Sequence, residues 1–407
     1  MNLRLAEKIF IILGLSFFAG IFGVNSLGFI LPKIIVTLIR YFVWGMSSVL
    51  ICVFWKSAIV IASKNKLLCI LTGLALLSFT WSQSPDYTLL NATEVLMMTS
   101  FALYFATRFS LKEQVQLIAY TMFIGSILST IIALGYPALG THTANELENH
   151  LGAWKGVYGH KNSLGSMMVL SSLVFFVLPK ENSISLKWLG FSFSIFLMLL
   201  STSKSSLVIS CILILIMLFY KKFRWKGRIS VIFVNIGILI LACLAIVVLT
   251  YWVELLTGLG RDPTLTGRTY IWDTALAGLL ERPFFGFGRG AFWAPESKYI
   301  IQAGYALRSS SWLPSHGHNG FLDLTLDLGL IGLSIFCIIY FTTFAQSLKQ
   351  AYATNNLEKL WPIGYLTYLA MSNVTESNLL RLANLYWVLF ITVVFTVNYR
   401  IKTKKVR

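Results

Sequence analysis

The chain has 407 residues, of which 57% are hydrophobic and only 12% are charged. A soluble domain carries about 25% charged residues, so this composition, with a mean hydropathy of +0.74, excludes an ordinary soluble protein and indicates an all-α polytopic membrane protein. The formal net charge of +17 is also typical of nucleic-acid-binding proteins, but in so apolar a chain it favours basic loops beside an anionic lipid leaflet, or an anionic ligand. We therefore predict a bilayer and no nucleic acid as partner.

Apolar stretches that suit membrane-crossing helices, which need roughly 20 residues each, recur along the chain. We predict about twelve, at 9–31, 34–55, 67–80, 88–107, 116–136, 163–179, 188–203, 205–220, 229–252, 319–346, 360–374 and 382–399. With the N-terminus on the cytoplasmic side, every inner segment carries several lysines or arginines, as the positive-inside rule requires. The short outer loops hold only Lys33, Lys155, Lys161, Lys204 and Arg381. Both termini are therefore predicted to be cytoplasmic.

One polar segment, residues 253–318, divides the chain and is predicted to face outward. It separates nine predicted spans in 1–252 from the last three spans and the basic tail in 319–407. Within it, residues 274–280 predict a short helix that ends before Arg282 and Pro283. Leu276, Leu279 and Leu280 are predicted to share its apolar face.

The same long loop is rich in arginine. Planar guanidinium groups bind phosphate oxygens through two parallel hydrogen bonds, so several of them beside a membrane suit a lipid-linked phosphate or diphosphate. Salt bridges to acidic residues of the loop are the alternative for each arginine. The stretch GFGRG at 286–290 is similar to a glycine-rich phosphate loop, but no strand precedes it, and a flexible turn fits it equally well. The loop arginines are Arg261, Arg268, Arg282, Arg289 and Arg308.

Three further outer turns carry polar residues. In ENHLGAWKGVYGHKNSLG, before the sixth span, Asn162 is predicted to cap the helix, beside Lys161. In STSKSS at 201–206, Lys204 lies among five hydroxyls, where it either pairs with an anionic group or extends to the interface. In SNVTESNLLR, Glu376 lies at the outer interface.

Two histidines, His316 and His318, stand at the outer end of the tenth predicted span, in PSHGHNGFLDLTLDLGLIGL (314–333). Imidazole is a natural general base near neutral pH. His318 is followed directly by Asn319, which is predicted to cap the helix and orient the ring. Gly317 is predicted to leave His316 on a flexible approach.

Two carboxylates, Asp323 and Asp327, follow one turn apart on one face of the same span, at a depth where carboxylates are rare. Histidines two residues apart with nearby carboxylates are also compatible with a metal site. A general base and a metal site therefore both stay open on the residues alone.

These motifs together resemble the O-antigen ligase and O-antigen polymerase superfamily, which are membrane glycosyltransferases of GT-C type. Their order, their outer placement and the single long loop before HNxxL carry the resemblance. The GHKN and STSKSS forms look most like exopolysaccharide-polymerase members. The matching elements are WSQSPDYTL (81–89), GVYGHKNSLG (156–165), STSKSS (201–206), TGRTYIW (266–272), PFFGFGRGAFW (283–293), SHGHNGFLDLTLDLGLIGL (315–333) and NVTESNLL (373–380).

The resemblance implies transfer of a glycan from undecaprenyl diphosphate to an acceptor hydroxyl, on the periplasmic face of the bacterial inner membrane, with inversion and without a metal or other cofactor. The acceptor would be another lipid-linked glycan in a polymerase, or lipid A-core or a protein in a ligase. The resemblance also implies a catalytic histidine at His318 and a catalytic arginine at Arg268. A second family arginine is matched by Lys204, which keeps the charge without the two-pronged geometry.

The remaining predicted substrate contacts are Lys161, Asn162, Arg261, Arg289, His316, Asn319 and Glu376. A transporter of a small anion such as bicarbonate is the alternative from another class, because some relatives in the superfamily have been described in that way. The long polar outer loop and the lack of a charged relay along the predicted spans count against it.

Overall fold

The computed structural model describes residues 3–23, 31–143, 151–179, 184–223, 241, 268–306, 313–354 and 356–403, with the backbone alone at 223, 268–270, 305–306 and 400–403. These residues are helical and hold no β-strand, apart from a single antiparallel bridge between Thr141 and Trp154. The predicted all-α class is therefore confirmed for the part of the chain that is described.

Fourteen α-helices of nine or more residues organise the described residues. Five of them, or six if one bent pair counts as a single span, are long and apolar enough to cross a membrane. This supports a polytopic membrane protein, and the number twelve stays a prediction because the span at 229–252 lies outside the described residues. The helices are α1 Leu3–Phe18, α2 Lys33–Val53, α3 Trp55–Lys64, α4 Lys66–Leu77, α5 Pro85–Arg108, α6 Leu111–Gly135, α7 Lys161–Val177, α8 Ile184–Leu200, α9 Lys204–Phe223, α10 Arg268–Glu281, α11 Lys298–Ala306, α12 Gly320–Tyr352, α13 Trp361–Asn373 and α14 Leu385–Thr403.

Two helices near the N-terminus differ from the predicted spans. Helix α1 ends at Phe18, well before the predicted end at residue 31. The third predicted span, 67–80, is one limb of a bent pair, in which α3 and the segment Lys66–Trp81 meet at 93°. Asn65 forms the corner, where its amide donates to Ile61 O (2.9 Å) and its side-chain oxygen accepts from Asn398 (2.6 Å). The bend therefore lies at a polar residue between two apolar helices. Hydropathy alone does not predict it.

The main core lies among helices α5, α6, α7, α13 and α14. It is rich in large aromatic side chains, such as Phe101, Tyr365 and Trp387, which are all almost fully buried. Helix α2 lies at the periphery of the helix bundle, because only 11% of its apolar 18-residue stretch is buried within the protein. Its exposed Ile34 and Leu38 suit contact with lipid tails, which are as apolar as a protein core.

An ion cluster ties α1 to the turn between α5 and α6. Buried Glu7 accepts from Arg108 Nε (2.8 Å) and from Tyr104 OH (3.0 Å), and Arg4 bridges Glu7 (3.2 Å) to Glu113 (2.6 Å). Each charge has an opposite partner, which offsets the cost of burying it. The cluster lies at the end of α5 that is predicted to be cytoplasmic.

A second, smaller core lies within the long loop. Ile271 and Ala275 of α10 pack against Phe287, Phe292 and other residues that follow α10, and the Phe292 and Tyr299 rings stack at 4.3 Å. The predicted helix is real but longer than 274–280, and it ends before Arg282 as expected. The prediction of its apolar face is partly wrong, because Leu276 and Leu280 are exposed while Leu279 packs on this core.

Candidate functional site

The site is built around the turn that leads into α12. Asn319 is the N-cap of this helix, as predicted, and its side-chain oxygen accepts from Phe321 N and Leu322 N (3.1 Å each). His318, immediately before it, has a φ of +52°. This left-handed conformation is costly for a residue with a side chain, and such strain clusters at functional sites.

Both peptide groups of Gly317 are held by the protein. Its N–H donates to the carboxylate of Asp323 (2.9 and 3.1 Å), and its carbonyl accepts from Trp272 Nε1 (2.6 Å). A Cβ on this glycine would lie 2.8 Å from Asp323 Oδ1, so only glycine permits the approach. The predicted flexible approach is therefore wrong: the turn is fixed, and the rings of His316 and His318 lie 4.2 Å apart.

Asp323 organises the wall behind the two histidines. Besides Gly317, it accepts from Trp293 Nε1 (2.9 Å) and from Ser377 Oγ. It is 8% exposed, so these donors replace the water that a carboxylate requires. One buried acceptor thus joins the histidine turn, the long loop and the segment after α13.

Glu376 is the acidic partner of His318. Its Oε2 lies 3.6 Å from His318 Nδ1, and that nitrogen has no hydrogen-bond partner among the described residues. The backbone of Glu376 is fixed because its carbonyl accepts from Gly320 N (3.1 Å). A carboxylate beside one imidazole nitrogen sets the ring orientation, which leaves the other nitrogen for chemistry.

Arg381 completes this cluster and was not among the predicted site residues. Its Nη1 lies 3.5 Å from His316 Nε2 and 3.4 Å from Ser377 O, and it is attracted by Glu376 and Asp323. Its side chain is exposed. The sequence feature that could have identified Arg381 is its position as a basic residue in the predicted outer turn that also carries Glu376.

The group His316, His318 and Glu376 is also the metal-compatible cluster in the described residues. Each offers a ligand atom, and these atoms lie within 4.8 Å of one another. The sequence alternative had placed the two aspartates in such a site. Asp323 is instead committed to the donors named above, and Asp327 to Arg289.

Helix α12 is broken at Gly329, which has φ 67° and ψ −172°. The loop segment 283–288 fills the break, so that the backbone groups released by it remain bonded, as a membrane interior requires. The four bonds are Leu330 N–H to Pro283 O (2.8 Å), Ile331 N–H to Phe284 O (3.3 Å), Phe287 N–H to Leu326 O (2.8 Å) and Gly288 N–H to Asp327 O (3.0 Å).

Arg289 is buried and holds this arrangement together. Its Nη1 donates to Asp327 Oδ2 (2.9 Å) and its Nη2 donates to Leu380 O. The N–H of Gly290 donates to Asp327 Oδ1 (2.8 Å). The backbone N–H groups of 287–290 are thus all bonded to the protein, so GFGRG is neither a flexible turn nor an open phosphate loop. The predicted substrate contact of Arg289 remains a prediction.

The same loop is fastened to the turn between α4 and α5. Trp81 Nε1 donates to Phe285 O (3.1 Å), and Arg282 Nη1 donates to Trp81 O (3.1 Å). The motifs WSQSPDYTL and PFFGFGRGAFW therefore meet in space. Their contact places the loop over the outer end of α5.

Arg268 is the first residue of α10. It stands one turn before Trp272, which bonds Gly317, and residues four apart share a helix face. The backbone therefore brings this position towards the histidine turn. Arg261 lies outside the described residues.

Lys204, Asn162 and Lys161 form a second group at the outer ends of α7 and α9. Lys204 is exposed, and no ion pair engages it within the described ranges. Its neighbour Ser203 donates to Asn162 Oδ1 (3.2 Å). The predicted cap is wrong: His160 is the N-cap of α7 and accepts from Asn162 N (3.2 Å), because its ring nitrogen reaches the same orphan N–H groups that an asparagine would.

A hydroxyl network links this second group to the first. Ser166, one turn after Asn162, bonds the hydroxyls of Tyr368 (2.6 Å) and Tyr386 (2.9 Å). Both tyrosines interact electrostatically with Glu376. The predicted residues thus fall into two groups at the same end of the helix bundle, with Arg289 buried in the loop anchor.

Comparison with known proteins bears on what this site is. Residues 189–337 match the O-antigen ligase family model. The exopolysaccharide production protein ExoQ of Rhizobium meliloti is 25% identical over 69% of this chain. Over these stretches the chain is similar to the O-antigen ligase family and to this exopolysaccharide production protein.

Other relatives match shorter segments of the chain. A Rickettsia conorii protein named as a polysaccharide ligase is 36% identical over 88 residues, which is 20% of each chain. A Rickettsia prowazekii protein of the same name is 33% identical over 88 residues. The match to ExoQ covers 64% of that protein. These similarities support the resemblance read from the motifs.

Proposed function

We propose that this protein transfers a glycan from a polyprenyl diphosphate, undecaprenyl diphosphate, to an acceptor hydroxyl at the outer face of a bacterial inner membrane. The similarity to the O-antigen ligase family and to ExoQ supports glycan transfer. The relatives' names place them in exopolysaccharide production and polysaccharide ligation. The basic inner segments support cytoplasmic termini and a periplasmic site.

The observation that carries this proposal is the pairing of His318 with Glu376. With Nδ1 facing the carboxylate (3.6 Å), Nε2 is the nitrogen that takes the acceptor's hydroxyl proton. Glu376 then stabilises the imidazolium that forms. The acceptor oxygen bonds to the anomeric carbon while the bond to the diphosphate oxygen breaks on the opposite face, so the configuration inverts. No metal takes part in this scheme.

The leaving diphosphate gains negative charge, which nearby cations stabilise. Arg268 and Lys204 are assigned this role, and the exposed Arg381 adds a guanidinium beside the histidines. Preorganised cations at a leaving group contribute roughly 3 kcal/mol each. Lys204 supplies a point charge where an arginine would supply a two-pronged contact.

The test uses purified protein in lipid with undecaprenyl-diphosphate-linked glycan. Loss of the donor and formation of a longer glycan are expected. Growth of the lipid-linked glycan without another acceptor identifies a polymerase, whereas a requirement for lipid A-core or protein identifies a ligase. If the donor remains intact with every acceptor while the protein carries bicarbonate across sealed vesicles, the transferase proposal is wrong and the transporter alternative stands.

A further inference from the structure

We propose that His316, His318 and Glu376 form a binding site for zinc, and that zinc in this site blocks glycan transfer. Two imidazoles and one carboxylate are a donor set that zinc prefers, with a fourth position open to water. The three ligand atoms already lie within 4.8 Å of one another. His318 Nδ1 and Glu376 Oε2, at 3.6 Å, are close to the roughly 3.3 Å that separates ligands of tetrahedral zinc.

The surroundings favour a ligand at this point. His318 Nδ1 is buried and has no hydrogen-bond partner among the described residues, so a metal would satisfy an atom that the fold leaves unbonded. The turn that carries both rings is fixed through Gly317 and Asp323 (2.9 Å). Such fixed supports behind the ligands are typical of metal sites.

One group opposes the metal. The guanidinium of Arg381 lies 3.5 Å from His316 Nε2 and repels a second cation there. Arg381 must therefore move when zinc binds, and its removal should strengthen binding. A neutral imidazole that binds zinc through Nδ1 carries its proton on Nε2, so Nε2 of His318 could not take the proton in the proposed reaction. Zinc binding is independent of the proposed function, whereas inhibition rests on it.

The experiment measures zinc affinity by competition with a chromophoric chelator, on full-length protein that carries no polyhistidine tag. One zinc per chain is expected. His316→Gln and Glu376→Gln should each weaken the zinc affinity at least about tenfold. Tenfold is about the lower end of the losses caused by changes to residues that support metal ligands. Arg381→Gln should strengthen it. His142→Gln is the matched control, because His142 and His160 form a second ring contact (5.1 Å), and it should leave the affinity unchanged.

Affinities within threefold of wild type in both His316→Gln and Glu376→Gln would overturn the site, as would the absence of zinc binding by wild type. Cobalt in place of zinc gives a visible spectrum that reports nitrogen and oxygen ligands without any activity.

In the transfer assay, zinc should inhibit wild type at concentrations that fill the site. Zinc binding by a protein that transfers no glycan would refute the proposed function and leave the site intact. Transfer that continues with the site filled would refute the inhibition.

Discussion

At the scale of single residues, the two cations assigned to the diphosphate give the most direct test of donor binding. Arg268→Ala and Lys204→Ala should each lower kcat/KM for the lipid-linked donor at least about tenfold, the rate equivalent of about 1.4 kcal/mol. Lys204→Arg should keep substantial activity, because arginine keeps the positive charge and its guanidinium can make two parallel hydrogen bonds to the diphosphate. Lys33→Ala, at another predicted outer cation, is the control. Unchanged kcat/KM in Arg268→Ala would remove that residue from the mechanism.

Asp323 should act through the turn that holds the histidines. Asp323→Ala leaves the N–H of Gly317, the indole of Trp293 and the hydroxyl of Ser377 without their common acceptor. Buried donors without partners cost about 1–3 kcal/mol each, so the thermal stability in detergent should fall clearly.

Asp323→Asn separates positioning from folding, because it keeps the size and one acceptor oxygen. We expect a folded protein with kcat lowered more than donor binding. Asp86→Asn, at the exposed start of α5, is the matched control and should change neither property. An Asp323→Asn protein with wild-type kcat would show that the negative charge of Asp323 is not needed to position the histidine turn.

At the scale of elements, the break in α12 is the feature that shapes the site. Gly329→Ala should strongly destabilise the protein, because φ is 67° and a Cβ would lie 2.0 Å from Phe284 O. With ψ at −172°, this is a backbone region essentially restricted to glycine that costs other residues about 1–3 kcal/mol, and the clash adds to it. Gly45→Ala is the control, since nothing lies within 4 Å of its Cβ position and alanine favours a helix. Melting temperatures in detergent check both; equal stability of the two variants would contradict the described break.

Local signals in the sequence predicted some of these elements and not others. The cap at Asn319 was predictable because its partners lie two and three residues away. The break at Gly329 was not, because DLGLIGL reads as a continuous apolar helix and the groups that fill the break come from residue 283 onwards. The face of α10 was misassigned for a similar reason. Its burying partners, such as Phe292, are placed by the fold of the loop and not by the period of the helix.

The pairing of Asp327 with Arg289 illustrates the same limit at the site. Asp327 was predicted at a depth where carboxylates are rare, and the loop arginine was expected to meet either phosphate or an acid of its own loop. The actual partner lies 38 residues away on α12. Contacts across such a separation depend on the whole fold, so the sequence did not predict that these two residues touch.

At the scale of the whole molecule, the proposal requires that residues 253–318 lie outside the cytoplasm. In a cysteine-free background, single cysteines at Thr264 and Ser310 should react with an impermeant thiol reagent in intact spheroplasts. A cysteine at Thr354, in a predicted inner loop, should react only after lysis. Labelling of Thr264→Cys and Ser310→Cys only after lysis would reverse the orientation and move the site to the cytoplasmic face.

The central claim is that His318 is the base for glycan transfer, and consumption of the undecaprenyl-diphosphate-linked donor by matched histidine variants tests it most directly. Both rings share one fixed turn, with their centroids 4.2 Å apart, and His318 Nδ1 lies 3.6 Å from the carboxylate of Glu376. His318→Ala should lose most of the rate, at least about a hundredfold for a missing general base, whereas His316→Ala should lose much less. EDTA should leave the wild-type rate undiminished. Equal losses in the two variants, together with EDTA inhibition that zinc restores, would contradict the account and make the histidine pair a catalytic metal site.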